Sequence, residues 1–456
     1  MNYFYFFFFI SLGILVWIKP FAEFLKNRII SSNNINIIAG ITLFIGLICI
    51  YVALTDEYWF ERVWRIVTFI LGIILIIRGI AAMFFFNQIK KAISFVFQHY
   101  FKFMSTISVI FFILAFFVIS SDYVGPQKDI SDCSSDNKVK LICDFKNPED
   151  IVIMPDKKFL FMSEFGGISP YEKQKSGYFA LLDLETKTKI IPNIIIEENI
   201  WGDPICTRTI NKKYGPHGID MIKRNDGRYQ LGVINHYPNE SIEMFEMIKK
   251  ENSWEMVWRG CIDVPHEFYF NDISLRKNGS LYASHMYHRD ITLTEWLFVS
   301  LIKSNTGFLV EWIENKFKKI DGSDGSGPNG IALDEGSNII YINYNQGDSI
   351  TKFDLSLNKK LIKKFIEAPD NPYIDGNDIW ITSLDFQPND FGECEFKKSC
   401  SLPFSIYQLD KDNLKIKNEY SFSKTVFGLP TVAVPIENEV FLGSFHSDRL
   451  GIIEIN

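Results

Sequence analysis

Two histidines, a residue type whose ordinary pKa lies near neutral pH, stand close together in the chain. His217 sits in Tyr214-Gly-Pro-His217-Gly-Ile219-Asp220, and His236 ends Val233-Ile-Asn235-His236. Two imidazoles facing each other across a hairpin would make a proton-transfer pair. The same residues fit a plainer reading, in which His217 caps a strand and His236 sits at a surface turn. A short motif does not choose between the two. A second set is more widely spread. Glu149, Asn271, Asn329 and the pair Asp370-Asn371 stand at or just before short apolar stretches. They comprise two carboxylates and three amides, with no Cys among them. If they met, such hard oxygen donors would suit calcium better than zinc. Taken one at a time, each is also an ordinary turn cap.

What would bring them together depends on the elements around them. The chain has 456 residues, a net charge of −7, 22% charged residues and 47% hydrophobic ones, enough for two or three domains. The distribution is uneven. The first 120 residues are dominated by Phe, Ile and Leu, and the remainder alternates apolar and polar residues. Mild acidity without basic clusters argues against nucleic acid as a partner.

The N-terminal part, residues 1–120, reads as a transmembrane domain of about four helices, at about 3–18, 35–54, 63–86 and 103–120. A spanning helix needs about 20 apolar residues, so the first run is short and the other three qualify. The first run lacks the basic start and small-residue cleavage site of a signal peptide and is read as a retained helix. Lys19, Lys26 and Arg28 follow it, and Lys90, Lys91 and Lys102 follow the third run. The second loop is acidic, with Asp56, Glu57 and Glu61 against Arg62. The positive-inside rule then places the first and third loops in the cytoplasm and everything after Ser120 outside it. Arg78, inside the third run, is read as reaching the interface by snorkelling. No carboxylate pairs or broken helices suggest a transporter, so this part is expected to anchor the chain in membrane lipid.

Residues 121–147 are polar, contain Gly125 and Pro126, and are expected to form a linker. Beyond them come short apolar runs separated by turn signals such as Asn225-Asp-Gly227 and Asn278-Gly279, the mark of an all-β domain. Six units recur: Glu149-Asp-Ile-Val-Ile, His217-Gly-Ile-Asp-Met, Asn271-Asp-Ile-Ser-Leu, Asn329-Gly-Ile-Ala-Leu, Asp370-Asn371 before Trp380, and Pro430-Thr-Val-Ala-Val. At about 50 residues each they have the size of four-stranded blades. Residues 148–456 are therefore predicted to form a six-bladed β-propeller. Its innermost strands line a central channel, and the polar openers would converge there.

These residues carry a resemblance. Pro-Glu149-Asp150, Pro-His217-Gly-Ile, Val-Ile-Asn235-His236, Asn271-Asp272-Ile, Pro-Asn329-Gly-Ile, Asp370-Asn371 and Gly443-Ser-Phe-His446 resemble the serum paraoxonase/arylesterase family in order and approximate spacing. That family belongs to the calcium-dependent propeller lactonases, and the match spans nearly the whole second domain. The resemblance implies two calcium ions. Glu149, Asn271, Asn329, Asp370 and Asn371 would hold the catalytic ion, and Asp150, Asp272 and the carbonyl of Ile219 a deeper structural one. It also implies that calcium polarises an ester or lactone carbonyl while His217 and His236 activate water. Phe445 and His446 would line the substrate pocket.

The chain departs from the family in three places. Leu384, in Trp380-Ile-Thr-Ser-Leu384, stands where the family has a pocket histidine. Ser284-His285-Met-Tyr-His288 replaces an Asn-Asp-His, and the C-terminal strand Gly451–Asn456 lacks the cysteine of a long-range disulfide. Residues 290–306 fit an amphipathic helix beside the active-site mouth, either a lid or membrane-facing wall or a helix packed on a blade. Of seven cysteines, Cys49 lies in a helix. Cys133–Cys143 and Cys394–Cys400 are candidate disulfides, and six cysteines allow 15 pairings. Asn239-Glu-Ser241 and Asn278-Gly-Ser280 are glycosylation sequons for a eukaryotic host.

The leading expectation is a membrane-anchored, calcium-dependent hydrolase of lactones or aryl esters, displayed outside the cytoplasm. The alternative is a non-catalytic propeller that keeps calcium for stability and binds a ligand or partner. A third reading, a transporter or sensor with a propeller ectodomain, rests on the four helices and Arg78.

Overall fold

The structure, a computed structural model, describes residues 3–30, 35–121, 127–167, 170, 173–208, 213–384, 394 and 397–455. They fall into two compact units divided after Gln127.

The first unit is helical: α1 (Tyr3–Leu15), α2 (Lys19–Ile30), α3 (Ile35–Leu54), α4 (Val63–Phe84), α5 (Phe86–Gln98) and α6 (Tyr100–Ser120). Three helices, those within α3, α4 and α6, are long and apolar enough to cross a membrane, and α1 is shorter. The four apolar helices expected are thus present, and two further helices, α2 and α5, lie between them among the described residues. Both additions, α2 and α5, mix charged and apolar residues. Neither shows an apolar run, because an amphipathic helix carries only a stripe on one face. Arg78 is exposed on α4.

Close packing of α3 on α4 follows from small residues. A Cβ added to Gly46 would lie 2.9 Å from the Gly72 carbonyl oxygen, and one on Gly72 would lie 2.9 Å from that of Gly46. The turn between them is tied by Arg65, fully buried, whose Nε lies 3.1 Å from Asp56 Oδ2 and whose Nη1 donates to the Val52 carbonyl at 2.6 Å. Helix α6 is tied to α1 by Tyr100 and Ser108, which donate to the carbonyls of Val16 and Gly13 at 2.5 and 2.8 Å. In a lipid surrounding, such bonds hold helices together where hydrophobic burial cannot.

The second unit is a six-bladed β-propeller. Six sheets follow one another in sequence, and the inner strands are Pro148–Ile153, Pro216–Lys223, Phe270–Leu275, Pro328–Asp334, Pro369–Asp375 and Pro430–Ile436. Five open on proline and the third on Phe270, and the residue after it is the polar opener, or Thr431 in the sixth blade. Proline suits the first position because it has no N–H to give the ladder. Every inner strand then shifts register by one residue against its neighbour, as between Pro216 and Ile219 or Pro328 and Ile331. Six equivalent bulges thus bring two residues per blade to the same end of the propeller.

Ring closure corrects the linker reading. Within residues 121–147, Lys140–Cys143 forms a strand antiparallel to the last one, Arg449–Glu454, pairing Lys140 with Ile452 and Cys143 with Arg449. The N-terminal segment therefore supplies the outer strand of the sixth blade. Gly125 and Pro126 lie outside the described residues. Arg449, fully buried, reinforces the closure by donating to the carbonyls of Ile130 and Asp132 at 2.9 and 3.1 Å. Disulfides join Cys133–Cys143, Cys206–Cys261 and Cys394–Cys400. Only short strands with polar turns separated the units in sequence, and a four-residue strand gives no periodicity strong enough to see.

Candidate active site

The first bulge residue in each blade is Glu149, His217, Asn271, Asn329, Asp370 and Thr431 in turn; the second is Asp150, Gly218, Asp272, Gly330, Asn371 and Val432. Both sets surround the start of the channel, and the polar ones are all buried. The two glycines have a steric cause. A Cβ on Gly218 would meet the Asn271 carbonyl oxygen at 2.6 Å and Asp272 Oδ1 at 2.5 Å, and one on Gly330 would meet Asn371 Cα at 2.4 Å. Inner strands approach so closely that a side chain on one blade needs a glycine on its neighbour.

The deeper layer is stitched by carboxylates. Asp150 Oδ2 accepts from the Ile219 N–H of the next blade at 2.8 Å, Asp220 Oδ2 from Leu275 at 2.7 Å, and Asp272 Oδ2 from Ile331 at 2.7 Å. Asp220 stands in the His217 motif but has no role assigned from sequence. The signal available was an Asp just inside a repeat unit, as at Asp150 and Asp272. These three carboxylates line one cavity of about 260 Å³ inside the channel. Burial first, then mutual repulsion, pushes the Asp150 carboxyl up to about 7 and Asp272 well above its ordinary range, and burial pushes Asp220 up to about 6.

At the mouth, Asn371 Nδ2 donates to Glu149 Oε1 at 3.0 Å, and Asn329 lies beside the Asp370 carboxyl. Asn271 turns its Nδ2 toward Met286 Sδ at 3.7 Å. Four oxygens in this set are buried without a hydrogen-bond partner: Glu149 Oε2, Asn271 Oδ1, Asn329 Oδ1 and Asn371 Oδ1. Unpaired buried acceptors are costly, and four together call for a positive group. Burial and then neighbouring carboxyls hold Glu149 well above its ordinary range, and Asp370 likewise. Among the described residues neither carboxylate has an ion pair with a Lys or Arg. Among the described residues no three His, Cys, Asp or Glu side chains converge as a metal cluster, so any ion here would draw heavily on the amides. Hard oxygen donors around excess negative charge fit calcium.

The histidines meet beside this set. His217 Nδ1 lies 3.0 Å from His236 Nε2, and His217 Nε2 lies 3.8 Å from Glu149 Oε1. Burial, then the His236 ring, holds His217 well below its ordinary range, so it is neutral at pH 7. Phe165 packs on His217 at 4.6 Å and Tyr269 stacks on His236 at 4.9 Å between ring centres. The turn carrying His236 is braced by buried Asn235, which accepts from the Gly215 N–H at 2.8 Å and donates to the Asn239 carbonyl at 2.9 Å. His236 Nδ1 contacts Glu240 Oε2 at 2.7 Å. Glu240 was not singled out from sequence, where it is one acid in a polar turn.

Phe445 is half-buried against Leu384, Leu402 and Leu429. His446 turns its Nε2 to the Lys397 carbonyl at 2.7 Å. His285 is buried, accepts from the Tyr269 N–H at 3.1 Å and is depressed by burial to about 4. Helix α7 (Leu293–Leu301) is capped by Thr292 and Glu295, buries Trp296 and exposes Leu293, Leu297, Phe298 and Leu301. Its far end is tied by Lys303 to buried Asp348 at 2.6 Å.

Fold and site together define a six-bladed propeller with a carboxylate- and amide-lined channel mouth and a histidine pair beside it. The chain belongs to the arylesterase family, whose sequence profile matches residues 162–450. No curated protein sequence is significantly similar to it. Among solved structures, a luciferin-regenerating enzyme shares 12% identity at a TM-score of 0.42, over 70% of this chain and 95% of that one. The calcium-binding protein regucalcin from Agrobacterium tumefaciens shares 10% at 0.38, over 68% and 90%. A periplasmic gluconolactonase of Pseudomonas aeruginosa shares 11% at 0.35, over 68% and 89%. At such identities, what those proteins bind or act on is said of them alone.

Proposed function

We propose that the propeller hydrolyses lactones or aryl esters with calcium at the channel mouth. The observation that carries this reading is the ring of four unpartnered buried oxygens beside the His217–His236 contact. Glu149, Asn271, Asn329, Asp370 and Asn371 would hold a catalytic calcium, and Asp150, Asp272 and the Ile219 carbonyl a structural one. When bound, calcium supplies a Lewis acid that polarises a carbonyl and offsets the charge growing on its oxygen. His217, neutral and backed by His236, takes the proton of the attacking water. Phe165 and Tyr269 keep both rings in place and limit solvent at them. Phe445 gives the acyl or leaving group an apolar wall with Leu384, and His446 stands at the rim beside it.

The helical unit anchors the chain in membrane lipid, with the basic stretches at α2 and α5 in the cytoplasm and the propeller outside. Three disulfides in the propeller unit support an oxidising surrounding. A second reading, a propeller that keeps calcium for stability and binds a ligand without turnover, draws support from buried Leu384 in place of a polar pocket group.

The test uses the full chain in detergent, assayed with phenyl acetate and an aliphatic lactone, with calcium and with chelator. Turnover that disappears on chelation is expected. A folded protein whose melting temperature rises with calcium, yet which turns over neither compound, favours the second reading.

A further inference from the structure

We infer that Glu240 is a positioning residue that, acting through His236, sets which nitrogen of His217 is the base. This rests on the hydrolase reading above and adds a group outside the calcium set. Glu240 Oε2 lies 2.7 Å from His236 Nδ1, and His236 Nε2 lies 3.0 Å from His217 Nδ1. A carboxylate only accepts, so the His236 proton sits on Nδ1. In a singly protonated His236 ring, Nε2 is then an acceptor. The proton in the contact between the two rings must belong to His217 Nδ1. His217 Nε2 is left bare, and it is this atom that faces Glu149 Oε1, 3.8 Å away.

The carboxylate is itself fixed. Gln174 Nε2 donates to Glu240 Oε1 at 2.8 Å and to Tyr269 Oη at 2.8 Å, and the Tyr269 ring stacks on His236. One glutamate therefore holds the tautomers of both rings, and the tyrosine beside it holds the plane of one. Although burial pushes the Glu240 carboxyl up, the His236 contact and Gln174 bring it below its ordinary range. As His217 takes a proton from water, its Nδ1 proton is shared with or passes to His236 Nε2, and the Glu240 charge faces the resulting imidazolium. No atom is gained or lost in the relay.

The experiment compares Glu240→Leu and Glu240→Gln in the full chain. Glu240→Leu removes the acceptor, and Glu240→Gln keeps an oxygen but not the charge. Outer residues that orient an active group typically contribute 10- to 100-fold. The expected result is a fall in kcat of about 10- to 100-fold for Glu240→Leu, a smaller fall for Glu240→Gln, and KM within about twofold in both. Solid-state NMR of 15N-histidine-labelled protein in lipid gives a readout independent of turnover. Signals of His217 and His236, assigned by subtraction with His217→Gln and His236→Gln, should show protonated Nδ1 in the native chain and a changed tautomer in Glu240→Leu. Unchanged tautomers, or unchanged kcat in an active enzyme, overturn the proposal. If Glu240→Leu does not fold, Glu240→Gln decides: native kcat in that variant overturns it. Absence of any turnover by the native chain would instead fault the hydrolase reading, and the NMR comparison would still decide the role of Glu240.

Discussion

His217 has a polar position because of its place in a strand, and a chemical role because of its neighbours. A neutral imidazole 3.8 Å from a buried carboxyl oxygen can accept a proton at physiological pH. Substitution of His217 by Gln is expected to lower kcat about 10²- to 10⁴-fold, while the rise in melting temperature on adding calcium persists. Steady-state assays and thermal unfolding of the same preparation check both. The carboxyls make a second prediction. Glu149, Asp370 and Asp272 are held above their ordinary range in the folded chain, and Asp150 at about 7. Such groups bind more protons folded than unfolded, so their stabilisation is complete below the unfolded carboxylate range and is lost as pH rises through the folded values. In chelator, the melting temperature should therefore fall between about pH 5 and pH 8. Saturating calcium, which binds the ionised forms, should flatten or reverse that slope. Identical slopes with and without calcium would mean that these carboxyls do not hold the ion.

At the scale of elements, the repeated bulge makes the site. One extra residue in each inner strand turns two residues per blade toward the channel, and the packing of strand on strand then dictates glycine at two of those positions. Gly218→Ala places a Cβ within 2.6 Å of three atoms of the next blade's Asn271 and Asp272. A cost of about 3 kcal/mol or more is expected, seen as a lower midpoint in denaturant. The closing strand carries the other prediction. Arg449→Leu leaves the carbonyls of Ile130 and Asp132 without their donor in a buried place, at a cost of about 2–4 kcal/mol. Protease sensitivity should appear first near residues 128–143, and cleavage elsewhere at native rates there would show that the clamp is not what closes the ring.

For the whole molecule, the arrangement proposed is a catalytic propeller outside the cytoplasm, attached to helices that span the membrane. A single introduced cysteine reports each side. Ser94→Cys on exposed α5 should react with a membrane-impermeant thiol reagent only after permeabilisation, and Ser337→Cys in an exposed propeller turn should react in intact cells. The opposite pattern would invert the topology.

Much of the molecule was legible in the residues. Apolar runs of about 20 residues mark helices because lipid tolerates little else, and the six polar openers mark blades because every inner strand faces the same channel. That the carboxylates and amides meet was likewise readable, since four of the five take the first bulge position of their blades and Asn371 the second. The amphipathic helices α2 and α5 were missed because a stripe on one face is weaker than a run. The strand Lys140–Cys143 was missed because it has four residues and its partner lies more than 300 positions away. Glu240 and Asp220 were missed for a related reason. Asp220 became visible only when Leu275 of the next blade stood above it, and Glu240 only when the His236 turn folded back. Sequence determined the fold class and the donor types, because these follow from local period and repeat. Which oxygens remain unpartnered and which histidine nitrogen is bare are decided by contacts between distant segments, and those exist only once the ring has closed.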